Sequence, residues 1–587
     1  MPDVAGGYLR TVVLIRPCLL AAYWARPSPR AGYAPIVTPQ EVGDCVRFAL
    51  IDLVRDGALQ VPIPDLVKVE RPKSRDHGDY ATNLPLTLAK AAGMPPSAIA
   101  ELLAPRIAAA AGIASAEIAG PGFINIRLDS AAQGALAATI VEQGDQYGRL
   151  TMLAGQHVNV EFISANPTGP LHLGHTRWAA VGDALARVLQ AAGAQVTTEF
   201  YINDRGVQMD RFGASVLAAA QGQPVPEDGY HGGYILDLAA RITGDQPALL
   251  QLPQTEQLSA FREAAYQEQL SQQQQVLAIF RTHFDVWTSE RALHDSNAVE
   301  HGLDRLRSQG HVYIGDGATW LRTTDFGDDK DRVLLKGDGE YTYFASDTAY
   351  YVNKRERGFT ICVYLLGADH HGYVNRLKAL ASCNGDNPDE VEVLIGQLVK
   401  ITRGGEEVKL SKRAGTIVTL EELVEEVGVD AARYSLIRYP VDSPLTLDLE
   451  EITKRTNDNP VFYVQYAHAR IASVLRNAAD LGIDWRAAGL DPALLSHERE
   501  NDLLGVLAEY PRIIATAAEL REPHRIARYL EGLATAYHRF YDACRVLPRG
   551  DEPTTPEHIA RLWLCAATRQ VLANGLDLLG VSAPERM

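Results

Sequence analysis

Two histidines three residues apart dominate the chemically loaded part of the chain, in Ser164-Ala165-Asn166-Pro167-Thr168-Gly169-Pro170-Leu171-His172-Leu173-Gly174-His175. Its glycines and prolines make it a loop, and the apolar periodicity beginning beside it makes it a loop that opens a helix. Free backbone N–H groups and the positive helix end then meet at one place, which suits an anion. Imidazoles at i and i+3 share a face there and can donate to phosphate oxygens as negative charge develops. Gly174 lets a ligand approach the backbone. Taken alone, the pair also admits a buried histidine or a zinc couple, although H-x-x-H lacks the H-E-x-x-H spacing and no third ligand is obvious.

A second piece lies more than two hundred residues downstream, in the glycine-flanked basic loop Gly404-Gly405-Glu406-Glu407-Val408-Lys409-Leu410-Ser411-Lys412-Arg413-Ala414-Gly415. It precedes a helix whose start reads as a capping box, Thr419 with Glu422. A mobile loop carrying Lys412 could close on a pyrophosphate leaving group and then open. On its own it reads as a solvated surface loop, as most charge runs are.

The elements that must hold these pieces form a βαβ unit. Residues 158–163 alternate as a strand, a helix runs from about His175 to Ala192, Gly193 stops it, and Gln195 to Tyr201 is strand again. Later strands at 360–366 and 391–399 extend this to a parallel sheet with helices on both faces. The expected fold is therefore multidomain α/β: a Rossmann-like, doubly wound catalytic domain over 150–400, with a mostly helical insertion at about 205–310. A small α+β module precedes it over 39–130, the basic loop occupies a region at 401–450, and helical periodicity makes 451–587 an all-α domain. Residues 1–38 stand apart. No acid lies between Asp3 and Glu41, four arginines do (Arg10, Arg16, Arg26, Arg30), and Arg16-Pro17 breaks the apolar run, a faint likeness to a transit peptide. That segment is expected to be a disordered extension.

Composition narrows the function. With 587 residues, 46% hydrophobic and 22% charged, the chain can bury several cores. No stretch of eighteen or more apolar residues runs without a charge or proline, so no membrane role is expected. The six cysteines (Cys18, Cys45, Cys362, Cys383, Cys544, Cys565) never form a C-x-x-C pair, which argues against disulfides and bound zinc and for a cytoplasmic setting. A net charge of −17 opposes nucleic-acid binding as a whole, so local patches would have to meet phosphates.

Together the two loops are more specific than either. The first resembles the His-Ile-Gly-His element of class I aminoacyl-tRNA synthetases, and Lys409-Leu410-Ser411-Lys412-Arg413 resembles their Lys-Met-Ser-Lys-Ser loop. Leu173, Leu410 and Arg413 depart from those patterns, the first two conserving volume. The stretches Glu161–His175, Asn203–Met209, Gly367–Tyr373 and Gly575–Met587 are similar to arginyl-tRNA synthetases in particular, and the likeness spans about 39–587.

The resemblance implies an arginine–tRNA ligase, with an N-terminal module on the tRNA elbow, a helical domain reading the anticodon, and arginine activation that waits for tRNA. It implies ATP contacts at Pro167, Thr168, Gly169, His172, Leu173, Gly174, His175, Lys409, Ser411 and Lys412, with His172, His175, Lys409 and Lys412 serving catalysis. It places Ser164 and Asn166 on the α-amino and carboxylate groups of arginine, Glu161, Tyr343 and Asp347 at the guanidinium, and Asp369 nearby. A planar guanidinium fork suits such carboxylates. The alternative reading of Asp347 is a helix N-cap, since Thr348-Ala349-Tyr350 follows, and the two roles are compatible. The expected ligands are ATP, Mg2+ with ATP, L-arginine and tRNA, with no DNA partner, and the chain is expected to act as a monomer. Tyr463, Tyr466, Arg470, Tyr537, Arg539 and Tyr541 are candidates for stacking on splayed bases, or else helix packing residues.

Overall fold

The computed structural model describes residues 38–72, 74–408 and 418–587. Helix α1 (Pro39–Arg55) starts at a capping box formed by Thr38 and Glu41 and buries Val42, Val46, Leu50 and Leu53. With α2 (Leu84–Ala92) and α3 (Pro96–Ala108) it accompanies an antiparallel sheet of β1 (Tyr80–Thr82), β2 (Ile113–Ala119) and β3 (Phe123–Leu128), in the order β1-β3-β2. Helix α4 (Ser130–Gln143) leaves this unit and lies on the C-terminal helices so closely that a Cβ on Gly134 would meet the Pro492 carbonyl oxygen at 2.2 Å.

The central sheet is parallel throughout, in the order β11-β10-β4-β5-β6. Its strands are β4 (His157–Glu161), β5 (Gln195–Ile202), β6 (Val286–Ser289), β10 (Ile361–Gly367) and β11 (Val391–Gly396). The chain winds from β4 outward through β5 and β6, then returns to β10 on the other side of β4. Strand order thus reverses between β4 and β10, and a crevice opens beyond their carboxyl ends, where this class of sheet binds ligands. Val158, Val160, Phe200, Val363 and Leu365 are buried, as strands covered on both faces require. Helix α5 (Leu173–Ala191) follows β4 and crosses it at Gly182, where a Cβ would stand 2.3 Å from the Phe162 ring.

Between β5 and β10 lie α6 (Val207–Ala220), α7 (Gly233–Asp245), α8 (Gln254–Ile279), α9 (Glu290–Asp295), α10 (Ala298–Ser308) and α11 (Tyr343–Glu356). A small antiparallel sheet of β7 (Val312–Gly315), β8 (Ala318–Leu321) and β9 (Arg332–Leu335) precedes α11. Two features differ from the sequence expectations. The stretch taken as helical insertion contains β6, whose Val286 pairs with Glu199 to add an edge strand to the central sheet. The strand expected over 391–399 ends at Gly396, and Val399 starts a separate strand.

After α12 (Tyr373–Cys383) and β11, a third small sheet joins β12 (Val399–Arg403), β13 (Glu406–Glu407) and β14 (Leu445–Asp448). Helices α13 (Leu420–Val427), α14 (Val429–Ile437) and α15 (Leu449–Ile452) surround it. The C-terminal domain is all helix: α16 (Pro460–Asp480), α17 (Trp485–Ala488), α18 (Glu498–Ala508), α19 (Tyr510–Leu520), α20 (His524–Ala543) and α21 (Pro556–Leu578). Arg433 on α14 staples this domain to the sheet. Its buried guanidinium donates to the Leu579 and Phe280 carbonyls at 2.9 Å each and to Asp183 on α5 at 2.5 Å. No helix among the described residues is long and apolar enough to cross a membrane.

Candidate active site at the carboxyl ends of β4 and β10

The chain turns sharply after β4. Ile163 and Ser164 take φ values of 69° and 45°, left-handed positions where a side chain on a β-branched residue is strained. Hydrogen bonds hold that turn: the Ser164 hydroxyl donates to Glu161 Oε1 at 3.1 Å and accepts the Tyr201 N–H at 3.2 Å. The loop beyond is gripped by the helices inserted after β5. Gln273 on α8 donates to the carbonyls of Asn166 (3.1 Å) and Gly169 (2.8 Å), and Tyr234 on α7 donates to that of Thr168 at 3.1 Å. Pro167 and Thr168 are buried, and the exposed Asn166 amide donates to Gln208 at 2.9 Å.

His172 is the N-cap of α5. Its Nδ1 accepts the Gly174 N–H at 3.1 Å, while His175 Nδ1 accepts the His172 N–H at 3.3 Å. The two rings lie 3.8 Å apart between centroids. Burial holds His172 below the usual imidazole range, and burial followed by the neighbouring His172 pushes His175 down to about 3. Both rings are therefore neutral near pH 7. Because each Nδ1 accepts a backbone hydrogen bond, the hydrogen-bond pattern assigns each ring proton to Nε2. The pair is a couple of neutral donors at a helix N-terminus, suited to phosphate oxygens.

Lys409, Ser411 and Lys412 lie outside the described residues, but both flanks of their loop are placed. Val408 donates to the Ile401 carbonyl at 2.9 Å on one side. On the other, Leu173 donates to the Val418 carbonyl at 3.0 Å, Leu420 donates to that of Leu171 at 2.8 Å, and Thr419 bridges His172. Thr419 and Glu422 form the expected capping box. Residues 418–420, which follow the basic loop, thus pair their backbone with the histidine turn itself.

The acidic candidates divide into two groups. Glu161, only 8% exposed, is 2.6 Å from the fully buried Lys354 ammonium. Asp347 sits inside α11 and not at its cap, which is Thr342; its carboxyl accepts the Tyr373 phenol. Burial raises the Asp347 carboxyl to about 7, reinforced by Glu290 and Glu161 and opposed by Tyr373 and Arg376. Tyr343, one turn earlier and 70% exposed, has its hydroxyl 3.9 Å from where a Cβ on Gly206 would stand. Asp369, on the turn after β10, is not drawn into this group: its side chain is 80% exposed beside His370.

Sequence reasoning missed Lys354 and Glu290. Glu290 is 3% exposed, engages the Ser346 and Tyr201 hydroxyls, and has its carboxyl raised by burial. Asp347, Tyr350 and Lys354 recur at i, i+3 and i+7, a one-face pattern that could have pointed inward. In the helical domain, Arg470 lies 4.3 Å from the Tyr541 ring centroid and 5.8 Å from that of Tyr466, and Tyr466 stacks on His538. Tyr463 leans on His538 as well, Tyr537 is core, and Arg539 is exposed.

Comparison with known proteins bears on the whole arrangement. Residues 40–128 match the family model described as arginyl tRNA synthetase N terminal domain, and 464–587 match the DALR anticodon binding domain. Residues 137–225 and 254–453 match tRNA synthetases class I (R), catalytic domain. The chain is 58% identical to the arginine–tRNA ligase of Frankia alni, covering 94% of this chain and 100% of that one. It is 56% identical to that of Paenarthrobacter aurescens, with the same coverage. Arginyl-tRNA synthetase from Thermus thermophilus shares the fold, with a TM-score of 0.70 at 23% identity over 94% of this chain and 100% of that one.

Proposed function

The chain belongs to the arginyl-tRNA synthetase family, class I, and is an arginine–tRNA ligase; from that premise we propose how its residues divide the work. ATP enters the crevice between β4 and β10. The neutral His172 and His175 donate from Nε2 to its phosphates, Gly174 and Leu173 let the nucleotide lie against the start of α5, and Pro167, Thr168 and Gly169 line the loop beneath. Mg2+ accompanies ATP.

Arginine is held at both ends. Ser164 and Asn166 take the α-amino and carboxylate groups, and the guanidinium lies toward Asp347, Tyr343 and Glu161, with Asp369 at the rim. A compact ammonium in place of the planar fork would leave carboxylate acceptors unpaired in a dry pocket, which discriminates against lysine. The arginine carboxylate attacks the α-phosphorus in line, the bond to the bridging oxygen breaks, and pyrophosphate leaves with arginyl-adenylate formed. Lys409, Ser411 and Lys412 close on the pyrophosphate and release it. The 2′-hydroxyl of the terminal adenosine of tRNA then attacks the adenylate carbonyl and AMP leaves.

The observation that supports this division is the pairing of Val418 and Leu420 with Leu173 and Leu171, which anchors the lysine loop at the phosphate-binding turn. The helical domain, with Tyr466, Arg470 and Tyr541, is assigned to the anticodon, and the module at 39–130 to the elbow. A cytoplasmic monomer whose activation step waits for tRNA completes the reading. His175→Ala and Lys412→Ala test it. Each is expected to slow pyrophosphate exchange about a hundredfold or more, and unchanged rates would remove the assigned roles.

A further inference from the structure

A buried cation that the reaction as described does not use lies directly behind the arginine pocket. The Lys354 ammonium is fully buried, 2.6 Å from Glu161 Oε2, with the Tyr350 and Tyr364 ring centroids at 4.3 and 4.1 Å. Lysine is almost never buried so completely unless paired. Its partner here ends β4, where the substrate turn begins. The other Glu161 oxygen accepts from Ser164, whose hydroxyl also accepts the Tyr201 N–H. Ammonium, carboxylate and hydroxyl therefore form one chain from the interior to the left-handed turn.

Glu199 on β5 shares the Lys354 charge: against burial, Lys354, the Thr288 hydroxyl and Arg357 at 2.8 Å hold its carboxyl below the usual range, and Asn159 donates to it at 2.6 Å. Cys362 and Tyr364 face the pair from β10, Tyr350 from α11 and Tyr201 from β5, and burial keeps all four neutral. Asp347 on α11 and Glu290 on α9 remain: Arg376 faces Asp347, and Arg205 and Asp204 face Glu290.

We propose that Lys354 is a positioning residue for arginine: it is the fixed counter-ion of Glu161, keeps that carboxylate on Ser164, and leaves Asp347 to the substrate guanidinium. The inference rests on the arginine-activating reading of the same site. It also refines that reading, since Glu161 serves the guanidinium from behind, through charge and through the turn it holds, with its oxygens already engaged.

Equilibrium arginine binding between pH 6 and 8 tests the proposal. In the parent, one carboxylate sets the slope of log Kd against pH. In Lys354→Met, Glu161 loses its fixed cation and competes for protons beside Asp347, so the slope steepens toward two protons and arginine binds at least about tenfold more weakly, while the KM for ATP holds. Lys354→Arg keeps the charge and the one-proton slope. A second comparison covers a Lys354→Met protein that does not fold. Glu161→Gln alone leaves an unpaired cation facing the substrate cation, so the Glu161→Gln/Lys354→Met double variant should bind arginine more tightly than Glu161→Gln. A Lys354→Met protein with parental slope and affinity, or a double variant no better than Glu161→Gln, would overturn the proposal. A parent that does not bind arginine would overturn the functional reading instead.

Discussion

Lowering the pH from 8 to 6 is expected to weaken arginine binding about tenfold, through one carboxyl. Asp347 is raised to about 7 by burial and by Glu290 and Glu161, against the pull of the Tyr373 phenol. The guanidinium stays charged throughout this range, and burial pushes both histidines toward the neutral form. Asp347 is the pocket carboxyl whose charge changes between these two pH values. At pH 8 about ten in eleven molecules carry the ionised form, and at pH 6 about one in eleven, a difference of roughly 1.4 kcal/mol in apparent binding. Arginine must expel the proton, so calorimetry in two buffers of different ionisation heat should count about one proton released at pH 6 and almost none at pH 8. The same proton affects folding. Its contribution to the stability of the free enzyme is full below the ordinary carboxyl value of 3.8 and is lost as pH rises through about 7. Asp347→Asn should abolish the proton release and flatten the pH dependence while weakening arginine overall. Proton-free binding with constant affinity across the range would refute the reasoning.

Two further outcomes follow from packing and stacking. Arg433→Met leaves Asp183, 4% exposed as a residue, with Arg187 as its remaining cation at 2.8 Å; urea unfolding should register a loss of about 3 kcal/mol, much of it recovered in Arg433→Met/Asp183→Leu. Tyr466→Ala should raise the KM for tRNA about tenfold, as loss of one stacked base would, with the KM for arginine unmoved; equal changes in both would place this residue in packing alone.

The histidine turn and the start of the helix after the basic loop were legible because they depend on residue type at fixed spacing. Glycine and proline marked the loop, and the histidine pair and the Thr419–Glu422 box stood at recognisable helix starts. The parallel sheet followed from strand and helix periodicity. What escaped reading depends on tertiary context. Strand β6 has four residues, too few for a period, and exists because β5 offers an edge. Ile163 and Ser164 adopt left-handed backbone that neither residue advertises. A lysine on a helix ordinarily reads as solvated, and only the packing of α11 on β4 and β10 turns Lys354 inward. Likewise, the alternative of Asp347 as a cap fails because Thr342 starts the helix one turn earlier.

ATP–pyrophosphate exchange with each of the twenty amino acids, with and without total tRNA, bears on the whole scheme. Arginine alone should support exchange, and only when tRNA is present. Turnover with lysine or glutamine, or no exchange with arginine under any condition, would contradict an arginine-selective crevice built from the histidine turn and the lysine loop.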